Sequence, residues 1–383
     1  MRRISFVSRM LHDQAKIALL PVLLACILLT GCAPSYRIEN QAHAICMGID
    51  YEAGEMTVIV QVPSFGATAG KDGGEADSTY QIYSAQAQSF EKAYNILQAT
   101  LPQQLNLTHL KSVVFSEKFA RSDMFLSTID TFMNVFLVTG SASVIVTEKS
   151  ARLLIENQKP HIGIRLSITV PSMLSYHAEN GYIPSTTLSS LYQGLKGHFS
   201  TAICALSDTA YEDEVKSENN TYTAGDMRRE GVNKNEYMGA ALFDRERMIG
   251  KINGREMQLM YFLSDPSTRI ADFTDPAPIR LSSRRRSDVY VDTTGDRVKI
   301  KVTLYLDVST LHESEDVSAL RKSFENDFLN LIEKCQSMKV EPFGFSYAAG
   351  RNFLSNKDWN AYDWLTRFSA SEVTVDVQMN AEK

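Results

Sequence analysis

Arg297-Val-Lys-Ile-Lys-Val-Thr-Leu-Tyr-Leu306 alternates polar and apolar residues without a break. Successive side chains of a strand point to opposite faces, so this pattern predicts a strand with one buried and one solvated face. A little further on the period changes. Leu320, Phe324, Phe328, Leu331 and Cys335 form one stripe between Val317 and Cys335, while Arg321, Lys322, Glu325, Asn326 and Glu333 lie elsewhere. That spacing is an amphipathic helix packing its stripe into a core, and it makes Cys335 a buried thiol rather than a ligand. Ser371-Glu-Val-Thr-Val-Asp-Val-Gln-Met379 alternates again and ends the chain as a strand. Half-buried strands on either side of a helix give an α+β fold for this half.

The same reading extends upstream. Ala42–Asp50 and Met56–Val62 read as a hairpin, turned at Tyr51–Glu55 and stopped by Pro63. Residues 65–79 are rich in Gly, Ala, Ser and acids and read as a loop. Its Gly70-Lys-Asp-Gly-Gly74 matches neither phosphate-binding glycine motif. Ser89 caps a helix carrying Phe90, Ala93, Tyr94, Leu97 and Leu101, closed by Pro102. Leu107–Phe115 reads as a strand with a helix from Ser116. Ser141–Thr147 is another strand, followed by a helix through Leu153 and Leu154. The order β-β-α-β-α-β-α predicts a mixed sheet with helices packed on it. Residues 207–236 are poor in apolar side chains and read as an acidic, polar connecting loop. Beyond it, Tyr237–Phe243 is a strand, Asp244–Arg247 a turn, Met248–Gly250 the start of the partner strand, and Gly254–Leu263 a short helix. The expected division is therefore 1–31, 32–206, 207–236 and 237–383, with two or three mixed-sheet domains.

The N-terminus has a different character. Arg2, Arg3, Arg9 and Lys16 precede the 13-residue apolar run Ile17–Leu29. As a helix such a run spans roughly 20 Å, short of a ~30 Å hydrocarbon core, which fits the h-region of a signal peptide. Leu29-Thr30-Gly31-Cys32 then resembles a bacterial lipobox. Small residues before the cysteine admit a peptidase, and the Cys32 thiol accepts the lipid. A plain signal peptide or a signal anchor is the competing reading. On the lipobox reading Cys32 becomes the mature N-terminus and residues 32–383 form an extracytoplasmic body tethered by lipid.

Composition narrows the chemistry. The 383 residues are 44% hydrophobic and 22% charged, which is globular, and the net charge of −6 opposes a nucleic-acid partner. Cys46, Cys204 and Cys335 are widely spaced and suggest neither a disulfide framework nor a zinc site. The seven histidines have no ligand spacing, so no metal or cofactor is expected. His109, on the strand expected at 107–115, reads as a hydrogen-bonded structural histidine. Glu212-Asp-Glu214 is a solvated run or a cation site. Arg284-Arg-Arg286 is the basic cluster, either solvated or facing anionic headgroups or an acidic partner. Trp359 and Trp364, with Phe353 and Tyr362, make either a plug over the last strand or an aromatic ligand cage. There is no H-E-x-x-H, no G-x-S-x-G, no S-x-x-K with its partners and no Cys/His pair in a recognisable frame, and no enzyme activity is expected.

The ordered landmarks resemble the Ger(x)C family, the lipoprotein C subunits of spore germinant receptors. Behind the lipobox come Ile38-Glu-Asn40 and Gly48-Ile-Asp50, then Leu105-Asn-Leu-Thr-His-Leu-Lys111. Gly239-Ala-Ala-Leu-Phe243, Ile249-Gly250, Gly254-Arg-Glu256, Asp327-Phe-Leu, Phe343-Gly-Phe and Trp359 follow in order. Ala33-Pro34 departs from the Trp-Asp common after the lipidated cysteine in that family. The resemblance implies a non-enzymatic subunit on the outer face of the spore inner membrane. It also implies assembly with two integral membrane subunits, one transporter-like and one with a large soluble domain, in a nutrient receptor. It assigns no catalytic residue and leaves open whether this subunit touches the nutrient. The alternative is a substrate-binding lipoprotein of a membrane transporter.

Overall fold

The computed structural model describes residues 40–63, 80–158, 166–199, 201–210, 222–225, 234–264, 269–273, 278–310 and 317–381. The chain divides into Met1–Ala42 and His43–Lys383. Two large mixed sheets, with the helices packed on them, form the body of the second unit.

The first sheet has eight strands: β1 (Cys46–Glu52), β2 (Glu55–Pro63), β3 (Tyr80–Ala87), β4 (Ser112–Ser116), β5 (Ser143–Thr147), β6 (Ile203–Thr209), β7 (Asn235–Phe243) and β8 (Met248–Ile252). Their spatial order is β8-β7-β6-β5-β4-β1-β2-β3. The centre, β1-β4-β5-β6, is parallel, and the flanking pairs are antiparallel. Parallel neighbours need crossovers. Helices α1 (Phe90–Thr100), α2 (Glu117–Ala120), α3 (Phe125–Asn134), α4 (Ala151–Glu156), α5 (Leu166–Glu179) and α6 (Leu188–Lys196) supply them. Both faces are therefore covered, and Ser112-Val-Val-Phe-Ser116 is buried at every position. Val114 and Ile145 face Leu154, Ile155, Val170 and Leu174 of α4 and α5. Phe115 points the other way, its ring 5.2 Å from Phe125, which stacks 5.1 Å from Phe243 of β7.

The second sheet has five strands: β9 (Arg269–Phe273), β10 (Pro278–Ser283), β11 (Asp288–Asp292), β12 (Lys299–Thr310) and β13 (Glu372–Ala381). The long β12 pairs antiparallel with β10 and β11 and parallel with β13. The alternation expected at 297–306 is realised: Ile300, Val302, Leu304 and Leu306 are buried, while Lys299 and Lys301 are exposed. Helix α7 (Gly254–Ser264) precedes this sheet. Helices α8 (Val317–Ser337), α9 (Phe345–Gly350), α10 (Asn356–Tyr362) and α11 (Trp364–Ser369) lie between β12 and β13. Phe324, Phe328, Leu331 and Cys335 of α8 are buried as their stripe requires. They share one core with Ala240 and Leu242 of β7 and Ile252 of β8, so the first sheet feeds the second core.

The fold is thus mixed α and β, with helices packed on two mixed sheets. It differs from the sequence reading in three places. The strand expected at 107–115 is confined to Ser112–Ser116, because the Asn106 carboxamide accepts from Thr108 N–H at 2.9 Å and turns the chain first. Ser207–Thr209 and Asn235–Glu236, the ends of the expected loop, are buried and paired between β6 and β7. Residues 155–206 hold α5, α6 and β6, where periodicity gave no assignment. Helix α5 carries Pro171 inside it, which breaks the helical signal.

Candidate functional site

Leu29, Thr30, Gly31 and Cys32, the residues expected to carry lipidation, lie outside the described residues, as do Glu212–Glu214. The landmarks further along are built into the scaffold. Asp50, in the second half of β1, faces the start of α4. Its carboxylate accepts from Ser150 Oγ at 2.7 Å, Ala151 N–H at 2.6 Å and Arg152 N–H at 3.1 Å. Gly48, two residues earlier, lets α4 approach the strand: a Cβ there would sit 2.7 Å from Ile155 Cδ1. Gly239 has φ +95°, and a Cβ would meet Ile252 O at 2.3 Å, so only glycine fits. Glu256 accepts from Asn253 N–H at 2.8 Å, while the Asn253 side chain accepts from Glu256 N–H at 2.9 Å. This capping pair also binds Lys334 Nζ at 2.7 Å, tying α7 to α8.

His109 is not on a strand. It is exposed in the turn before β4, its ring edge-on to His43 at 4.8 Å. Burial pushes the Cys46 and Cys335 thiols up to about 12 and raises Cys204, so none is a nucleophile at neutral pH. Glu341 is buried, and burial raises its pKa against the pull of N–H donors from Phe345 at 3.0 Å and Ser346 at 2.9 Å. Asp208 is raised by burial, with Lys149 Nζ at 3.6 Å. Among the described residues no group of three or more His, Cys, Asp or Glu is placed to hold a metal. Arg285 of the basic cluster is committed locally: its guanidinium lies 3.4 Å from the Tyr305 ring centroid and 3.1 Å from Asp288.

The tryptophans form a plug. Trp359 and Trp364 are buried, and their rings stack 5.7 Å apart. The stack runs inward from Trp364 to Phe368 and outward from Trp359 to Phe199 at 5.5 Å and then to Tyr347 at 5.1 Å. Its outer end, Tyr347, is 58% exposed. Trp359 Nε1 donates to His198 O at 2.7 Å, and Phe199 packs on Gly350, where a Cβ would lie 2.6 Å from Cε1. These contacts hold the chain after α6 against α9 and frame a cleft of about 400 Å³. Ser185, Thr186, Gln193, His198, Phe199 and Tyr347 are among its walls, and no Asp, Glu, Lys or Arg lines it among the described residues. Sequence reasoning weighed the tryptophans as plug or cage. It missed the cleft because Pro184–Ile203 and Tyr347 meet only through the tertiary fold.

Comparison with known proteins gives a consistent result. Residues 35–207 match the family described as spore germination protein N-terminal domain. Residues 238–383 match the family described as spore germination B3/GerAC like, C-terminal. YfkR of Bacillus subtilis (strain 168), named provisionally as a spore germination protein, is 22% identical over 374 residues, covering 92% of each chain. The crystal structure of the GerBC protein aligns with a TM-score of 0.49 at 13% identity, covering 88% of this chain and 97% of that one.

Proposed function

This chain belongs to the GerAC-like family of spore germination proteins, and from that premise we propose that it is the lipid-anchored, non-enzymatic C subunit of a nutrient germinant receptor. In this reading Cys32 carries the lipid, and the body lies on the outer face of the spore inner membrane. It assembles there with two integral membrane subunits, one transporter-like and one with a large soluble domain. The observation that carries the reading is positional. The lipobox Leu29–Cys32 stands immediately before the family match that begins at residue 35. No helix among the described residues is long and apolar enough to cross a membrane. The landmarks that define the resemblance serve as caps, close contacts and core, which suits a scaffold. We further propose 32–206 and 237–383 as the two family units. Pairing of β6 with β7 joins them as one folding unit.

Replacing Cys32 by Ala tests the anchor. In cells fed labelled palmitate, the wild-type chain should carry label and stay in the membrane fraction after a high-salt wash. The C32A chain should do neither. Equal labelling and retention of the variant would remove lipidation from the account.

A further inference from the structure

We propose that the cleft between Pro184–Ile203 and Tyr347 is a binding site for a neutral, polyhydroxylated ring, a saccharide unit. Nothing in the receptor reading requires this, and the two stand or fall separately. The volume, about 400 Å³, is in the range of small-ligand sites. The wall chemistry then selects the class. With no Asp, Glu, Lys or Arg among the described residues that line it, a phosphate, a carboxylate or a zwitterion would be desolvated without a counter-charge, which is costly. A wholly apolar ligand fits no better, because it would cover polar groups without replacing their water. Ser185, Gln193, His198 and Tyr347 all line the cleft, and none of these side chains is engaged in a hydrogen bond among the described residues. Ser185, Gln193 and Tyr347 are uncharged donors and acceptors of the kind that hydroxyl groups satisfy in both directions, and the His198 ring adds two nitrogens.

The remaining wall is aromatic. One face of Tyr347 rests on Phe199, which is backed by Trp359, Trp364 and Phe368, so the platform is fixed from the core outward. Tyr347 itself is exposed at the outer end of the stack. A ligand that suits this site has one apolar C–H face to lie on a ring and hydroxyls around its edge. A pyranose has both. Its source is either a free monosaccharide or the end of a glycan strand.

Saturation-transfer NMR on the full chain in a sugar-free detergent tests this, with D-glucose and an N-acetylglucosamine disaccharide as probes. L-Alanine and glucose 6-phosphate are the charged comparators. Emission from Trp359 behind the platform gives a second readout. At least one neutral sugar should receive saturation, and the stronger of the two identifies the source. The comparators should receive none. Tyr347→Ala removes the stacking face and should weaken binding about tenfold. Gln193→Ala should weaken it by a smaller factor. Both positions are exposed, so an unchanged melting temperature verifies that the variants fold. Absence of transfer to both sugars, equal transfer to the charged comparators, or binding unaltered in both variants would overturn the proposal.

Discussion

At the scale of single residues, polar side chains in this protein are spent on holding the chain in place. Asp50 and Glu256 look like catalytic candidates in a list of acids, yet each satisfies the start of a helix. Glu341 is the most enclosed case. Burial is the larger effect on its carboxyl and raises its folded pKa above the unfolded value of about 4.3. The folded state then holds the proton more tightly than the unfolded chain does. Its contribution to stability is complete at low pH and is lost as pH rises from about 4.3 through the higher folded value. Glu341→Gln cannot ionise, and its single oxygen serves one of the two N–H groups, Phe345 and Ser346, that Glu341 holds on separate oxygens. The urea midpoint of the wild type should fall with rising pH in that window relative to E341Q. Parallel curves for the two proteins would contradict the assignment.

At the scale of elements, legibility followed periodicity. Helix α8 and strands β12 and β13 announced themselves because one face of each is solvated, so burial imprints a clean 3.6 or 2.0 period. Phe328 sits at the middle of the α8 stripe and is fully buried against the second sheet's core. Phe328→Ala should lower unfolding free energy by about 3–5 kcal/mol in denaturant titration, and a loss under about 1 kcal/mol would mean that the stripe is not core. The hairpin β1–β2, the Ser89 cap of α1 and the strand at 143–147 were legible for the same reason or from turn and cap chemistry. What was not legible had its pattern erased. Helix α5 contains Pro171, and β6, buried nearly throughout, offers no alternation, whereas the equally buried β7 was legible at Tyr237–Phe243 and missed only at Asn235 and Glu236. The acids and asparagines around 207–236 masked the fact that Ser207–Thr209 and Asn235–Glu236 enter the sheet. His109 was misplaced because Asn106 ends the extended chain before it. The cleft was beyond sequence reach, since its walls lie far apart along the chain.

At the scale of the molecule, the family matches cover residues 35–207 and 238–383, and backbone hydrogen bonds join the two stretches. Strand β7 pairs with β6, and Ala240, Leu242 and Ile252 from the first sheet's edge enter the second core. A chain ending at residue 206 lacks β7, β8 and the last three residues of β6, and leaves the remainder of β6 as an edge with no partner on its outer side. It should aggregate or bind a hydrophobic dye, whereas residues 32–383 should unfold in a single transition by both circular dichroism and tryptophan emission. A soluble, cooperatively unfolding 32–206 fragment would contradict the shared core. The continuous sheet also argues against two lobes closing like jaws on a ligand, the motion expected of a transporter's substrate-binding lipoprotein.

The most direct measurement is affinity capture of the full, lipid-bearing chain from solubilised spore inner membranes, with the co-purifying proteins identified by mass spectrometry. The account predicts two multi-span membrane proteins in the capture, one transporter-like and one with a large soluble domain, and their loss when Cys32→Ala replaces the wild type. Capture of the chain alone from wild-type membranes, or with an ABC permease in their place, would contradict it.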